Sequence, residues 1–185
     1  RTMKTMMTVI LVALLASSAV AQSDYGPALG LFFSNGEFTD ATTNFEHTPN
    51  QPFDAYLVLL NPGDYDFVIG WEARLLLTNG DPLPSSLSGS VNLPGGYSNF
   101  GNGPFDHKVQ WDEDTAIAIN QGGTLLATIE MTSTSSDPLE LALGEPEDPA
   151  INGHYGPTVT FAQGMEEFFT VATTTNNGVA PGPDG

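Results

Sequence analysis

The chain has 185 residues, with 22 Asp and Glu against four Lys and Arg, a formal charge of −18, and no cysteine. Such a charge repels nucleic acid and anionic lipid, and the absence of thiols excludes a disulfide framework, thiol catalysis and thiolate metal sites. It attracts divalent cations and basic partners, and the length suits one well-buried domain rather than two.

The chain opens on Arg1, Thr2, Met3 and Lys4, is apolar throughout residues 9–16, and reaches Ala19-Val20-Ala21 before Gln22. A basic start, a short apolar run and an A-x-A site make a secretory signal peptide over residues 1–21, with translation from Met3 and cleavage after Ala21. That run is too short to span a bilayer, and no later segment approaches the roughly 20 apolar residues required, so the processed chain is expected to be soluble and extracellular. Every acidic residue but only Arg74 and Lys108 among the basic ones lie beyond the cleavage site, which makes the processed chain more acidic still. The lack of an Asn-x-Ser/Thr sequon favours a prokaryotic source.

Residues 22–173 read as one all-β domain. A first strand over 28–33 ends at the turn Ser34-Asn35-Gly36, and residues 37–51 are polar apart from Phe38 and Phe45, as in an edge strand or a long loop. Residues 52–61 place Phe53, Ala55, Leu57 and Leu59 on one face and Asp54, Tyr56, Val58 and Leu60 on the other. Both faces are largely apolar, so this strand is central, its second face covered by a loop or by another chain. Asn61-Pro62-Gly63-Asp64 then predicts a hairpin to the next strand.

Residues 65–77 carry the clearest alternation: Tyr65, Phe67, Ile69, Trp71, Ala73, Leu75 and Leu77 are apolar at every odd position. At about 3.3 Å per residue this strand would be roughly 40 Å long, and Gly70 is the natural place for a bend or bulge. From 78 to 104 the chain is rich in Gly, Pro, Ser and Asn, with one short strand over 87–91 in what is otherwise an elaborated connection or binding loop. Alternation resumes over 105–111 (Phe105, His107, Val109 and Trp111 inward), 124–132 (Leu125, Ala127, Ile129 and Met131 inward, Leu126 outward) and 137–143 (Leu139, Leu141 and Leu143 inward). Short strands over 159–161 and 168–173 complete the set, with a single helical turn at 163–167, while 174–185 reads as a flexible tail or linker. The total is about nine mostly antiparallel strands, with turn signals every 8 to 12 residues or so, the spacing of a single jelly-roll-like β-sandwich.

The segments PFDAYLVLLNP (52–62), VIGWEARL (68–75) and GTLLATIEM (123–131) resemble strands of the secreted cohesin-like and carbohydrate-binding-module-like sandwiches of bacteria. The resemblance covers 28–173 at the level of pattern. It implies a jelly-roll core and binding of protein modules or polysaccharide without catalysis, and it carries no site residues with it.

Three acidic clusters have the chemistry of calcium ligands: Asp64 with Asp66; Asp112, Glu113 and Asp114; and Glu145, Glu147 and Asp148. Calcium takes six to eight oxygens from irregular loops, so Ca²⁺ is the one cofactor the sequence suggests. His47, His107 and His154 have no metal-binding spacing, and His107 alternates into the core. No nucleophile elbow, dinucleotide fingerprint or P-loop occurs, and paired carboxylates of the glycoside-hydrolase kind are the weakest of the functional options. Tyr97 and Phe100 are the surface aromatics that could stack on a sugar or anchor a partner, whereas Phe105 and Trp111 belong to the core. The leading expectation is a non-catalytic binding module at the cell surface or in the extracellular matrix, contacting protein or polysaccharide. Its rival is a self-assembling subunit of an extracellular filament or sheath, built by strand addition between copies.

Overall fold

The computed structural model describes residues 26–111, 113–149, 156–163, 166–171, 173–174 and 177–181; the expected signal peptide, Asp112, His154 and Tyr155 lie outside them. The strands are β1 (Ala28–Ser34), β2 (Asn44–His47), β3 (Pro52–Leu60), β4 (Phe67–Leu77), β5 (Leu87–Asn92), β6 (Tyr97–Asn99) and β7 (Asp106–Trp111). They continue as β8 (Ile117–Ala118), β9 (Thr124–Ser133), β10 (Leu139–Gly144), β11 (Thr158–Gln163), β12 (Glu166–Val171), β13 (Thr173–Thr174) and β14 (Asn177–Pro181). Helical structure among the described residues amounts to two 3-10 turns, Phe38–Asp40 and Glu113–Thr115.

The strands form two sheets, and the expected all-β sandwich is what the alternation builds. The first sheet has the order β13-β1-β3-β9-β5; in the second, β4 is hydrogen-bonded to β7, β8, β10 and β11, while β11 also pairs with β12, β10 with β14, β14 with β2, and β7 with β6. Leu29, Leu31, Phe33, Leu57, Leu59, Ile129 and Met131 of the first sheet join Trp71, Ala73, Leu75, Leu141 and Phe161 of the second in one buried cluster. Each large apolar side chain so buried contributes about 1.5–3 kcal/mol.

The predicted hairpin between β3 and β4 does not form. The neighbours of β3 are β1 and β9, and β4 lies in the other sheet. The link is a corner in which Asn61 (φ 49°) and Gly63 (φ 77°) both take left-handed backbone conformations on either side of buried Pro62. Alternation tells which way a side chain faces but not which strand lies alongside, so two strands that each carry a continuous apolar face can equally well be layered.

Two bulges shift the expected faces. Between β3 and β9, Leu57 pairs with Ala127 and Val58 with Leu125, leaving Leu126 as an extra residue. Leu126, expected to point outward, is therefore fully buried beside Ala127, while Leu125 is only half-buried. Between β4 and β11, Gly70 pairs with Thr160 and Val68 with Phe161, so the extra residue is Ile69, immediately before the expected Gly70. Beyond it the inward face is carried by Val68 in place of Phe67, which is 42% exposed. Ile69 is buried but lies outside the core cluster. A side chain at Gly70 would come within 3.0 Å of the Val109 carbonyl, which is why the position next to the bulge is a glycine.

Two smaller expectations also change. In place of a helical turn at 163–167, β11 ends at Gln163 and pairs antiparallel with β12 from Glu166. The segment expected to be a flexible tail carries β14, which pairs antiparallel with β10 and parallel with β2.

Candidate functional site

The arrangement around β4 decides what the surface can offer. Arg74 of β4 pairs with Gly144 on one side and Asp106 on the other, so β10 and β7 flank β4 on opposite edges. By the same reasoning β11 lies on the β10 side, and β8 on the β7 side. Each edge of β4 is therefore met by two collinear strands, and the excursion between them is described over residues 145–149 and 156–157 on one side and 113–116 on the other.

The first excursion is tied back across the sheet by both basic residues of the domain. Arg74 reaches Glu147 at 2.8 Å, and Lys108 donates to the Asp148 carbonyl at 2.7 Å with the carboxylate at 3.4 Å. Buried Asp106 accepts the Glu147 amide at 3.1 Å. The carboxylates of Glu147 and Asp148, expected as calcium ligands, are thus engaged by cations. Asp64, Asp66 and Asp114 are exposed, Glu145 is half-buried, and Glu113 stands in the second 3-10 turn. Among the described residues no three His, Asp or Glu side chains form a group that could hold a metal ion.

The other edge carries the expected aromatics. β6 pairs with β7 through Tyr97–Trp111, Ser98–Gln110 and Asn99–Val109. Asn99 fixes this edge: its Oδ1 accepts the Gly101 amide at 3.0 Å and the Lys108 amide at 3.3 Å, and its Nδ2 meets His107 Nδ1 at 3.3 Å. His107 Nε2 lies 2.9 Å from the Pro104 carbonyl, which can only accept. Nε2 therefore carries the proton, Nδ1 accepts from Asn99, and the ring is neutral. Burial lowers its pKa, against smaller raising effects from the Pro104 carbonyl and the Asp106 charge. With both ring nitrogens engaged and no surface exposed, His107 is a structural core residue, packed edge-on against Trp71. On this fixed edge Tyr97 is 43% and Phe100 63% exposed, whereas Trp111 is buried and Phe105 packs against the core.

His47 is buried, with Nε2 3.1 Å from the Ser135 carbonyl, beside an open cleft of about 330 Å³ lined also by Phe45, Thr48, Gln51 and Phe53. One group went unnoticed in the sequence. On the outer face of the first sheet Asp54 and Glu130 stand directly opposite each other, next to Tyr56 and Phe38. The signal was present in the alternation, since Asp54 lies between the inward Phe53 and Ala55 of its strand and Glu130 between the inward Ile129 and Met131 of its own. Only their register was missing.

No family model matches the sequence, and no curated protein matches it. The fold is similar to that of the seventh ScaB type I cohesin from Pseudobacteroides cellulosolvens, with a TM-score of 0.54 and 9% identity over 85% of this chain and 93% of that one. It is also similar to CaCohA2 of Clostridium acetobutylicum in its complex with a CaDoc0917 variant, with a TM-score of 0.51 and 10% identity over 84% and 99% of the two chains. At such identities the likeness establishes a cohesin-like sandwich and nothing finer.

Proposed function

We propose that this chain is a non-catalytic extracellular binding module that contacts another protein through the edge carrying Tyr97 and Phe100. The observation that carries this reading is the pair of exposed rings, Tyr97 on β6 and Phe100 just after it, on an edge whose backbone is held by Asn99 and β7. Large aromatics offer contact area at little entropic cost, and a fixed edge strand offers main-chain groups to an incoming chain. Support for protein over polysaccharide comes from the structurally similar CaCohA2, which was solved with a protein bound.

The test is affinity capture from the extracellular fraction of the cells that produce the protein, with wild type and a Tyr97→Ser/Phe100→Ser variant as baits. A protein retained by the first and lost by the second supports the reading. The same set on both baits overturns it, as does binding to a glycan array with no protein retained. Size exclusion of the purified chain separates this reading from filament assembly, which requires polymers where a module gives a monomer.

A further inference from the structure

The ion pairs Arg74–Glu147 and Lys108–Asp148 lie on the second layer, and the outer face of the first has a different character. Asp54 on β3 and Glu130 on β9 are direct cross-strand partners, flanked in the same row by Ser34 and Ser90. Like charges directly opposite in a sheet are unfavourable, and the described cations that could relieve them, Arg74 and Lys108, are engaged with Glu147 and Asp148 on the other layer.

Beside the two carboxylates lies an aromatic pair. Tyr56 is buried on this outer face, its hydroxyl donating to the Gly36 carbonyl at 2.9 Å and lying 3.3 Å from Asp54 Oδ2. The Phe38 ring covers it at 5.1 Å between centroids and is itself 39% exposed. The turn that presents Phe38 is ordered: Phe33 and Thr42 exchange backbone hydrogen bonds of 2.7 and 2.9 Å, and Asp40 and Ala41 close it on Glu37 and Phe38. Glu37 and Asp40 on this turn are exposed, adding two more carboxylates to the margin of the patch.

We propose that the outer face of the first sheet is a docking surface for a basic protein segment, whose cations pair with Asp54 and Glu130 and stack on the Phe38 ring. Charge complementarity selects this occupant. A second copy of so acidic a chain would add like charge, whereas arginine or lysine offers charge-assisted hydrogen bonds to the carboxylates and a cation for the aromatic face. The surface lies on a different layer from β6, and the proposal stands or falls independently of the contact assigned to Tyr97 and Phe100.

The test is binding of a fluorescently labelled hexa-arginine peptide at low salt by anisotropy, with the intact chain. An Asp54→Asn/Glu130→Gln variant should bind about tenfold more weakly. A variant losing two acidic side chains elsewhere, Asp66→Asn/Glu140→Gln, should stay within about twofold of wild type. Phe38→Ala, at an exposed position, should cost about two- to fivefold. A melting temperature at or above that of wild type shows that the Asp54/Glu130 variant is folded, since it removes a repulsion. Equal weakening by both double variants would reduce the effect to general attraction for a polycation and overturn the proposal. So would failure of the wild type to bind, or peptide-induced amide shifts that avoid Phe38, Asp54 and Glu130.

Discussion

β3 and β4 each carry a continuous apolar face and each have one bulge beside them, yet they are supported differently. β3 is paired by β1 from Ala28 to Ser34 and by β9 from Thr124 to Thr132, ladders that run almost its whole length. β4 is paired on each edge by two shorter strands with an excursion between them. The difference shows how one layer is stabilised chiefly by burial, while the other combines burial with a polar network made by loops that leave and rejoin the sheet. Asp106, His107, Lys108 and Arg74 all belong to that network, and it holds the edge on which Tyr97 and Phe100 stand.

The largest effect expected is that of Trp71→Ala, which removes the largest fully buried side chain and should cost about 3–5 kcal/mol by urea denaturation. Leu57→Ala in β3 should cost about 2–5 kcal/mol. The comparison sharpens in amide exchange, where the β4 lesion should loosen β7 and β11 and the β3 lesion β1 and β9. Next comes Asp106→Ala, which deprives the Glu147 amide of its acceptor and should cost about 1–3 kcal/mol. Faster exchange at residues 145–148 is its signature, and unchanged exchange there would show that the excursion is held some other way.

The next prediction concerns pH. Burial lowers the His107 pKa in the fold, so as acid is added the unfolded chain takes up the proton first. The contribution is fully present above the unfolded value of about 6.5 and is lost as pH falls below it, until the folded group titrates as well. His107→Gln should flatten the dependence of unfolding free energy on pH just below about 6.5, and an unchanged slope would remove His107 from the account. The smallest effect is expected from Arg74→Met. Its pair with Glu147 is partly exposed, so the loss should be about 0–1 kcal/mol and should shrink as salt is added.

Much of this architecture was legible because a period of two is a statement about faces. Trp71, Ala73, Leu75, Val109, Trp111, Ile129, Met131 and the three leucines of β10 all lie where alternation put them. Phe67 and Leu126 do not, because one extra residue in a ladder reverses every face beyond it, and a bulge leaves little trace in composition. The neighbours of β3 were misread for a related reason: pairing is decided by long-range register, which no local pattern encodes. At the candidate site, exposure of Tyr97 and Phe100 followed from their Gly-rich surroundings. The partnership of Asp54 with Glu130, and of Glu147 with Arg74, joins residues more than seventy positions apart and became visible only in three dimensions.

The interrupted ladder beside β4 has an evolutionary corollary. β10 and β11 each find their own register on the same template, so a change in the number of residues between them re-indexes no core side chain. Surface loops accept such length changes at small entropic cost. A lineage built on this scaffold can therefore diversify there while its hydrophobic interior is inherited intact.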